Sequence, residues 1–241
     1  MKKNKFIKCT GTVLGLLGAT MSLSYGEINP KKYLEGKKFF CQQEEIKGSY
    51  DPYVVKQFLK REKANIEHIE IDNCRLEYGF FGDFPGVLKD NTTLKVLKVK
   101  KAYLGRGDVT GIAEALKGNE TLKVLHLWTN AIGPSGAGEL AEALGNTTLE
   151  DLDLHDNNIQ DDGAKALAKA LIFNETLKSL YLRYTQIGDE GAKALAKALE
   201  FNKTLKYLDL SRNQIGDECK QALKDAWVKT RGTANGLILD D

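Results

Sequence analysis

Residues 163–171 read GAKALAKAL, and residues 191–199 read GAKALAKAL again, 28 positions further on. Setting the chain in register on this duplication divides residues 64–230 into six blocks that begin at 64, 92, 120, 147, 175 and 203. All run 28 residues except the third, which runs 27. An internal period of this size predicts a solenoid, because a unit this short cannot bury its apolar side chains except against another copy of itself.

Each block opens on leucines spaced as Leu149, Leu152 and Leu154. The alternation sends Leu152 and Leu154 to one face and Asp153 and His155 to the other, which predicts a short strand. The second half, as in DDGAKALAKAL at 161–171, has acids to cap a helix start and then Ala164, Leu167, Ala168 and Leu171 at helical spacing. Successive strands that point the same way need crossovers, and these are right-handed in nearly all cases. Strands pack about 4.8 Å apart and helices about 8–10 Å apart, so the stack bends towards its strands by roughly 20° per unit. The expected fold is α/β, with parallel strands on a concave face and helices on the convex one.

LEDLDLHDN at 149–157 and LKYLDLSRN at 205–213 spell LxxLxLxxN. Residues 64–230 thereby resemble the leucine-rich-repeat family, specifically its ribonuclease-inhibitor type. The resemblance implies a right-handed leucine-rich-repeat solenoid, a horseshoe arc, whose members generally bind proteins. It also implies an asparagine ladder tying each turn to its neighbour, at Asn130, Asn157 and Asn213, with Cys74 and Thr185 as substitutes. Ala102 departs from the pattern and supplies no side-chain hydrogen bond, so the ladder is expected to be weakest at the second repeat.

The flanks read as covers for the two ends of the stack, which would otherwise expose apolar surface and a strand edge. Residues 27–63 form the N-terminal capping segment, with Asp51 and Pro52 opening a helix, and residues 231–241 the C-terminal cap. In the first repeat Phe80, Phe81, Phe84 and Pro85 replace the Ala/Leu helix. Residues 1–26 carry Lys2, Lys3, Lys5 and Lys8, then an apolar run from Val13 to Leu23 and the small residues Ser24 and Gly26. That is the pattern of a signal peptide, too short and too interrupted by glycine for a stable membrane anchor, and it places the protein in the periplasm or the medium.

The whole chain has a formal net charge of +2. The leader's four lysines exceed that, so the rest is slightly acidic, which argues against a nucleic-acid partner. After cleavage Cys41, Cys74 and Cys219 remain, too few for a disulfide scaffold; a Cys41–Cys74 bridge and three reduced thiols both stay open.

No catalytic signature is present: no HExxH, no GxSxG and no phosphate loop. His68, His126 and His155 sit at outward strand positions without metal-ligand spacing. GPSGAG at 133–138 reads as a turn, and Arg106-Gly107-Asp108 falls in a predicted loop. Asn-x-Thr recurs at Asn91, Asn119, Asn146, Asn174 and Asn202, where asparagine suits a helix end and threonine the following strand, so the repeat accounts for it without glycans.

While the inward positions stay leucine, the outward ones diversify. They run from Lys98, Lys100 and Lys101 through His126 and Trp128, then Asp151, Asp153, His155 and Asp156, to Tyr181, Arg183, Tyr184, Tyr207, Asp209 and Arg212. The lysines suit a solvated face. Trp, Tyr and Arg dominate binding hot spots, so the expected partner site comprises His126, Trp128, Asp153, His155, Tyr181, Arg183, Tyr184, Tyr207, Asp209 and Arg212. The expectation is a monomeric, non-enzymatic binder of another protein, without cofactor or metal. A regulator of a GTPase and a passive envelope component are the alternatives.

Overall fold

The computed structural model describes residues 66–73, 91–145 and 148–240, and the backbone of 34–35 and 38–42. The leader, the helix expected at Asp51-Pro52, the phenylalanines of the first repeat, Cys74 and Asn146 lie outside the described residues. Nine strands are present among the described residues: β1 (Leu34–Glu35), β2 (Lys38–Gln42), β3 (His68–Asp72), β4 (Val96–Lys100), β5 (Val124–His126), β6 (Asp151–Asp153), β7 (Ser179–Tyr181), β8 (Tyr207–Asp209) and β9 (Leu237–Ile238). They form one sheet in chain order, antiparallel between β1 and β2 and parallel throughout the rest. Helices α1 (Arg106–Leu116), α2 (Pro134–Leu144), α3 (Gln160–Phe173), α4 (Asp189–Leu199) and α5 (Asp217–Arg231) follow β4 to β8 in turn, each packed on the next.

The strand register carries the repeat. Leu97, Leu125, Leu152, Leu180 and Leu208 pair in succession across the sheet, and every one of them is fully buried. Between sheet and helices, Leu152, Leu154, Ile159, Leu167 and Leu171 form one buried layer, and Leu180, Leu182, Ile187, Leu195 and Leu199 the next. The core is thus a stack of like layers along the coil axis, and the closer spacing of strands than helices curves it with the sheet inside.

The glycine of GAKALAKAL has a steric cause. A Cβ on Gly163 would lie 2.6 Å from Ile159 Cγ2 and 2.9 Å from Ala137 Cβ; one on Gly191 would lie 2.8 Å from Asp161 Oδ1 and 2.9 Å from Ala164 Cβ. Helix starts approach so closely here that any side chain displaces the preceding helix. Gly136 occupies the same place in α2: GPSGAG lies at a helix start, where Gly133 is the N-cap residue, Pro134 begins the helix and Gly136 packs on Val109 and Ile132.

Asparagines bind the coils at two levels. After the strands, Asn157 donates from Nδ2 to the carbonyls of Leu127 (3.0 Å) and Leu154 (2.9 Å) and accepts at Oδ1 from the amides of Asn130 and Ile132 (both 3.2 Å). Asn130 and Asn213 make the same bonds one coil before it and two coils after it. Thr185 substitutes only in part: its hydroxyl lies 2.6 Å from Leu182 O, within its own repeat, and 3.1 Å from Asn213 Oδ1 of the following coil. Ala102 contributes no side-chain bond; its backbone amide donates to Asn130 Oδ1 at 3.0 Å. Among the described residues the ladder is thus interrupted at Ala102, while Thr185 contacts the following coil without the bonds an asparagine makes back to the preceding one.

The other level runs through Asn-x-Thr. Asn202 Oδ1 accepts from Thr204 N (3.2 Å) and Leu205 N (2.9 Å), while its Nδ2 donates to Leu171 O (2.8 Å) and Asn174 O (3.0 Å). Asn91, Asn119 and Asn174 accept likewise and are buried too. The Nδ2 atom of Asn202, on which a glycan would be built, lies inside the fold, so at this asparagine the motif is structural.

In α3 and α4 a first-turn acid caps the next helix rather than its own. Asp161 Oδ1 accepts from Gly188 N at 2.8 Å and Gly191 N at 2.9 Å, so α3 caps α4; Asp189 accepts from Gly216 N at 2.7 Å, so α4 caps α5. That bond holds the Asp189 carboxyl below its ordinary range, with the Cys219 thiol adding to it. Asp108 belongs to α1 rather than to a loop, and its buried carboxylate accepts from Gly105 N at 3.2 Å. An Arg-Gly-Asp tripeptide whose acid is buried presents no adhesion loop.

At the C-terminal end Trp227 is fully buried beneath Arg231, whose guanidinium lies 3.8 Å from the ring centroid and whose Nε donates to Leu205 O at 2.7 Å. Gly232, at φ 71°, ends α5, and Gly236, at φ 89°, lets β9 reach β8. A Cβ at Gly236 would meet Lys206 O at 2.1 Å.

Candidate functional site

Four rows of residues cross the sheet's outer face. The first is Val96, Val124, Asp151, Ser179 and Tyr207, and the second Lys98, His126, Asp153, Tyr181 and Asp209, both fixed by strand register. The third row is Lys100, the last residue of β4, with Trp128, His155, Arg183 and Ser211 past the ends of β5 to β8, and the fourth is Lys101, Thr129, Asp156, Tyr184 and Arg212. The last row is held in the left-handed region, at φ 50°, 53°, 54°, 53° and 58° respectively. For residues other than glycine this conformation costs about 1–2 kcal/mol each. Interstrand bonds continue through it, as in Asp156 N to Arg183 O (2.9 Å) and Tyr184 N to Ser211 O (3.2 Å), and they offset that cost.

Trp128 does not stand alone. Its ring stacks on His155 with centroids 4.9 Å apart and planes 17° apart, and the amines of Lys100 and Lys101 lie 5.0 and 5.9 Å from its centroid. These two lysines, expected to be merely solvated, are thus held on an aromatic face. Lys100 also pairs with Glu70 at 2.6 Å and Asp72 at 3.5 Å. His68, and then Lys100, hold the Glu70 carboxyl down to about 2 against the opposing effect of burial.

Asp153, expected to face outward and exposed, is buried. Its Oδ1 accepts from His155 N (3.0 Å) and His155 Nδ1 (2.7 Å), which folds the imidazole over it. Asp209 does the same with Ser211, through the amide (2.9 Å) and the hydroxyl (2.6 Å). Between them Tyr181 leans on Tyr207, centroids 4.9 Å apart. Burial first, and then the charges of Asp151 and Asp153 together with Tyr207, push the Tyr181 phenol above its ordinary value. Further out, Arg183 and Arg212 both overlie Tyr184, at 5.2 and 5.9 Å.

An open depression of about 560 Å³ gathers part of the expected site: Asp153, His155, Tyr181, Arg183, Tyr184 and Asp209, joined by Asp156. His126, Trp128, Tyr207 and Arg212 lie outside its lining; His126 is bonded to Asp151 at 3.2 Å. Asp156 is absent from the expected site although the outward register includes it, and its place in the left-handed row beside Tyr184 is the signal that marks it. Among the described residues no three His, Cys, Asp or Glu side chains are grouped to hold a metal.

Residues 118–141, 145–168, 173–196 and 201–218 match the Leucine Rich repeat family model. Over 115 residues the chain is 33% identical to human NACHT, LRR and PYD domains-containing protein 13, a match that takes in 47% of this chain and 11% of that protein. The chain therefore spans about a tenth of that relative's length. Among solved structures, the Caenorhabditis elegans tropomodulin C-terminal domain aligns over 76% of this chain and 95% of its own, at 12% identity and a TM-score of 0.48. Actin-binding site 2 of leiomodin-1 aligns over 73% of this chain and 87% of its own, at 19% identity and a TM-score of 0.44. Four consecutive coils between residues 118 and 218 match the family model and are leucine-rich repeats, and the coil before them, β4 with α1, has the same strand–helix form.

Proposed function

We propose that this protein is an exported, non-enzymatic binding module that holds another protein on the outer face of its sheet. The observation that carries this reading is the contrast between the two sides of β5 to β8. Leucine is invariant on the buried side, while the outer side bears a stacked Trp128, the Tyr181–Tyr207 pair and the Tyr184–arginine cluster. Aromatic rings and arginines pre-positioned on a rigid sheet lose little side-chain entropy on binding, which is what hot-spot residues require. Leucine-rich repeats in general are protein-binding modules, in keeping with this. The signal-like leader supports export, and a mass measurement on fractionated protein, with cleavage after Gly26 as the expected result, tests it.

The test of binding is capture from candidate recipient lysates by the intact protein and by a Trp128→Ala, Tyr184→Ala double variant. The expected result is a saturable partner retained by the former and lost by the latter. Equal capture by both would overturn the proposed face. A partner whose GTP hydrolysis accelerates on binding would replace a holding role with a regulatory one.

A further inference from the structure

Within the strand face, the depression on β6 to β8 has a definite chemistry. Its floor is Tyr181, and the register sets Asp153 and Asp209 on either side of it, two strand spacings or roughly 10 Å apart. In both aspartates Oδ1 is tied down by the residue two positions on, His155 or Ser211, while Oδ2 makes no hydrogen bond to another described residue. Asp156 stands at the rim with its Oδ2 on the Thr129 hydroxyl at 2.9 Å. None of the three is ion-paired to a lysine or arginine among the described residues. Arg183, the arginine in the lining, lies over the Tyr184 ring at 5.2 Å.

Three carboxylates against one arginine leave the depression acidic, and its walls are aromatic. The Tyr181 phenol is raised chiefly by burial, with Asp151, Tyr207 and, of the lining carboxylates, Asp153 adding to it. A planar cation satisfies both properties, stacking on a ring while its N–H fork meets carboxylate oxygens. An ammonium fits less well, since it offers no flat face to Tyr181. We infer that the depression receives an arginine side chain of the bound protein, stacked on Tyr181 and bonded to the Oδ2 atoms of Asp153 and Asp209. This deepens the binding role proposed above and rests on it.

The probe is Nα-acetyl-arginine amide, with Nα-acetyl-citrulline amide as the neutral isostere, titrated into the whole protein while the ring signals of Tyr181 and Tyr184 are followed by NMR. The expected result is a saturable shift with the arginine compound in the millimolar range, about 10-fold or more weaker with citrulline and weakened by added salt. The Asp153→Asn, Asp209→Asn double variant should lose the same factor; its thermal midpoint shows whether it is folded. Asp156→Asn, at an exposed rim position, should weaken binding about 2- to 5-fold and serves should the double variant not fold. Equal affinity for arginine and citrulline, or an unchanged affinity in the folded variants, overturns the subsite. If the arginine compound fails to bind while partner capture still depends on Trp128 and Tyr184, the subsite is wrong and the binding role stands. If it binds as described and no partner is captured, the subsite stands and the binding role falls.

Discussion

Asp161 and Gly188 belong to successive coils, yet the carboxylate of the first accepts from the amide of the second at 2.8 Å. Asp161 in α3 and Asp189 in α4 cap the following helix because stacked helices begin side by side, which brings the first or second residue of one within reach of the N-terminus of the next. Coil-to-coil cohesion is therefore polar at the helix starts as well as apolar in the core.

Asp161→Ala removes that cap and is expected to cost about 1 kcal/mol, within the range of lost N-caps. Asp162→Ala, one residue on and exposed, should change stability by less than about 0.5 kcal/mol. Urea unfolding of the two variants measures the difference. Equal effects would show that the cross-coil bond contributes nothing.

Gly191→Ala places a methyl group against Asp161, Ala164 and Ile187, and overpacking of this kind costs about 1–3 kcal/mol. Gly138→Ala, in the interior of α2 with nothing within 4 Å of the added carbon, should stabilise by about 0.5–1 kcal/mol. The same chemical change thus has opposite signs at two helical glycines, and thermal midpoints will show it.

Asn157→Ala strands the Leu127 carbonyl and the Asn130 and Ile132 amides, each orphaned buried group being worth about 1–3 kcal/mol. The loss should exceed about 2 kcal/mol, whereas Asn158→Ala, exposed beside it, should be near neutral. Hydrogen exchange at the Ile132 amide should quicken in the first variant only.

Glu70 titrates near 2 in the fold and near 4.5 as an unperturbed group, so the native state favours its ionised form. Its stabilising contribution is complete above the ordinary glutamate range and is lost as pH falls through that range towards 2. Glu70→Gln should therefore be less stable than the parent at pH 7, and the gap should narrow on acidification to pH 3. A gap independent of pH would mean that His68 and Lys100 do not hold the charge.

The spacing of leucines by itself determined that residues 64–230 coil, that a strand and a helix alternate in each unit, and which residues share the outer face. Burial of a repeated apolar pattern is local and periodic, so one unit predicts the next. Partner choice for polar groups was decided only by the tertiary structure. The sequence assigns Asp161 to its own helix, Arg106-Gly107-Asp108 to a loop, Asp153 to solvent and Trp128 to an open surface. In the fold Asp161 reaches a residue 27 positions away, Asp108 sinks into a helix start, Asp153 is covered by His155, and Trp128 lies against His155 and two lysines. The physical reason is that a hydrogen bond or ring stack depends on ångström-scale proximity between coils, a distance set by how closely glycine and alanine let neighbouring helices approach.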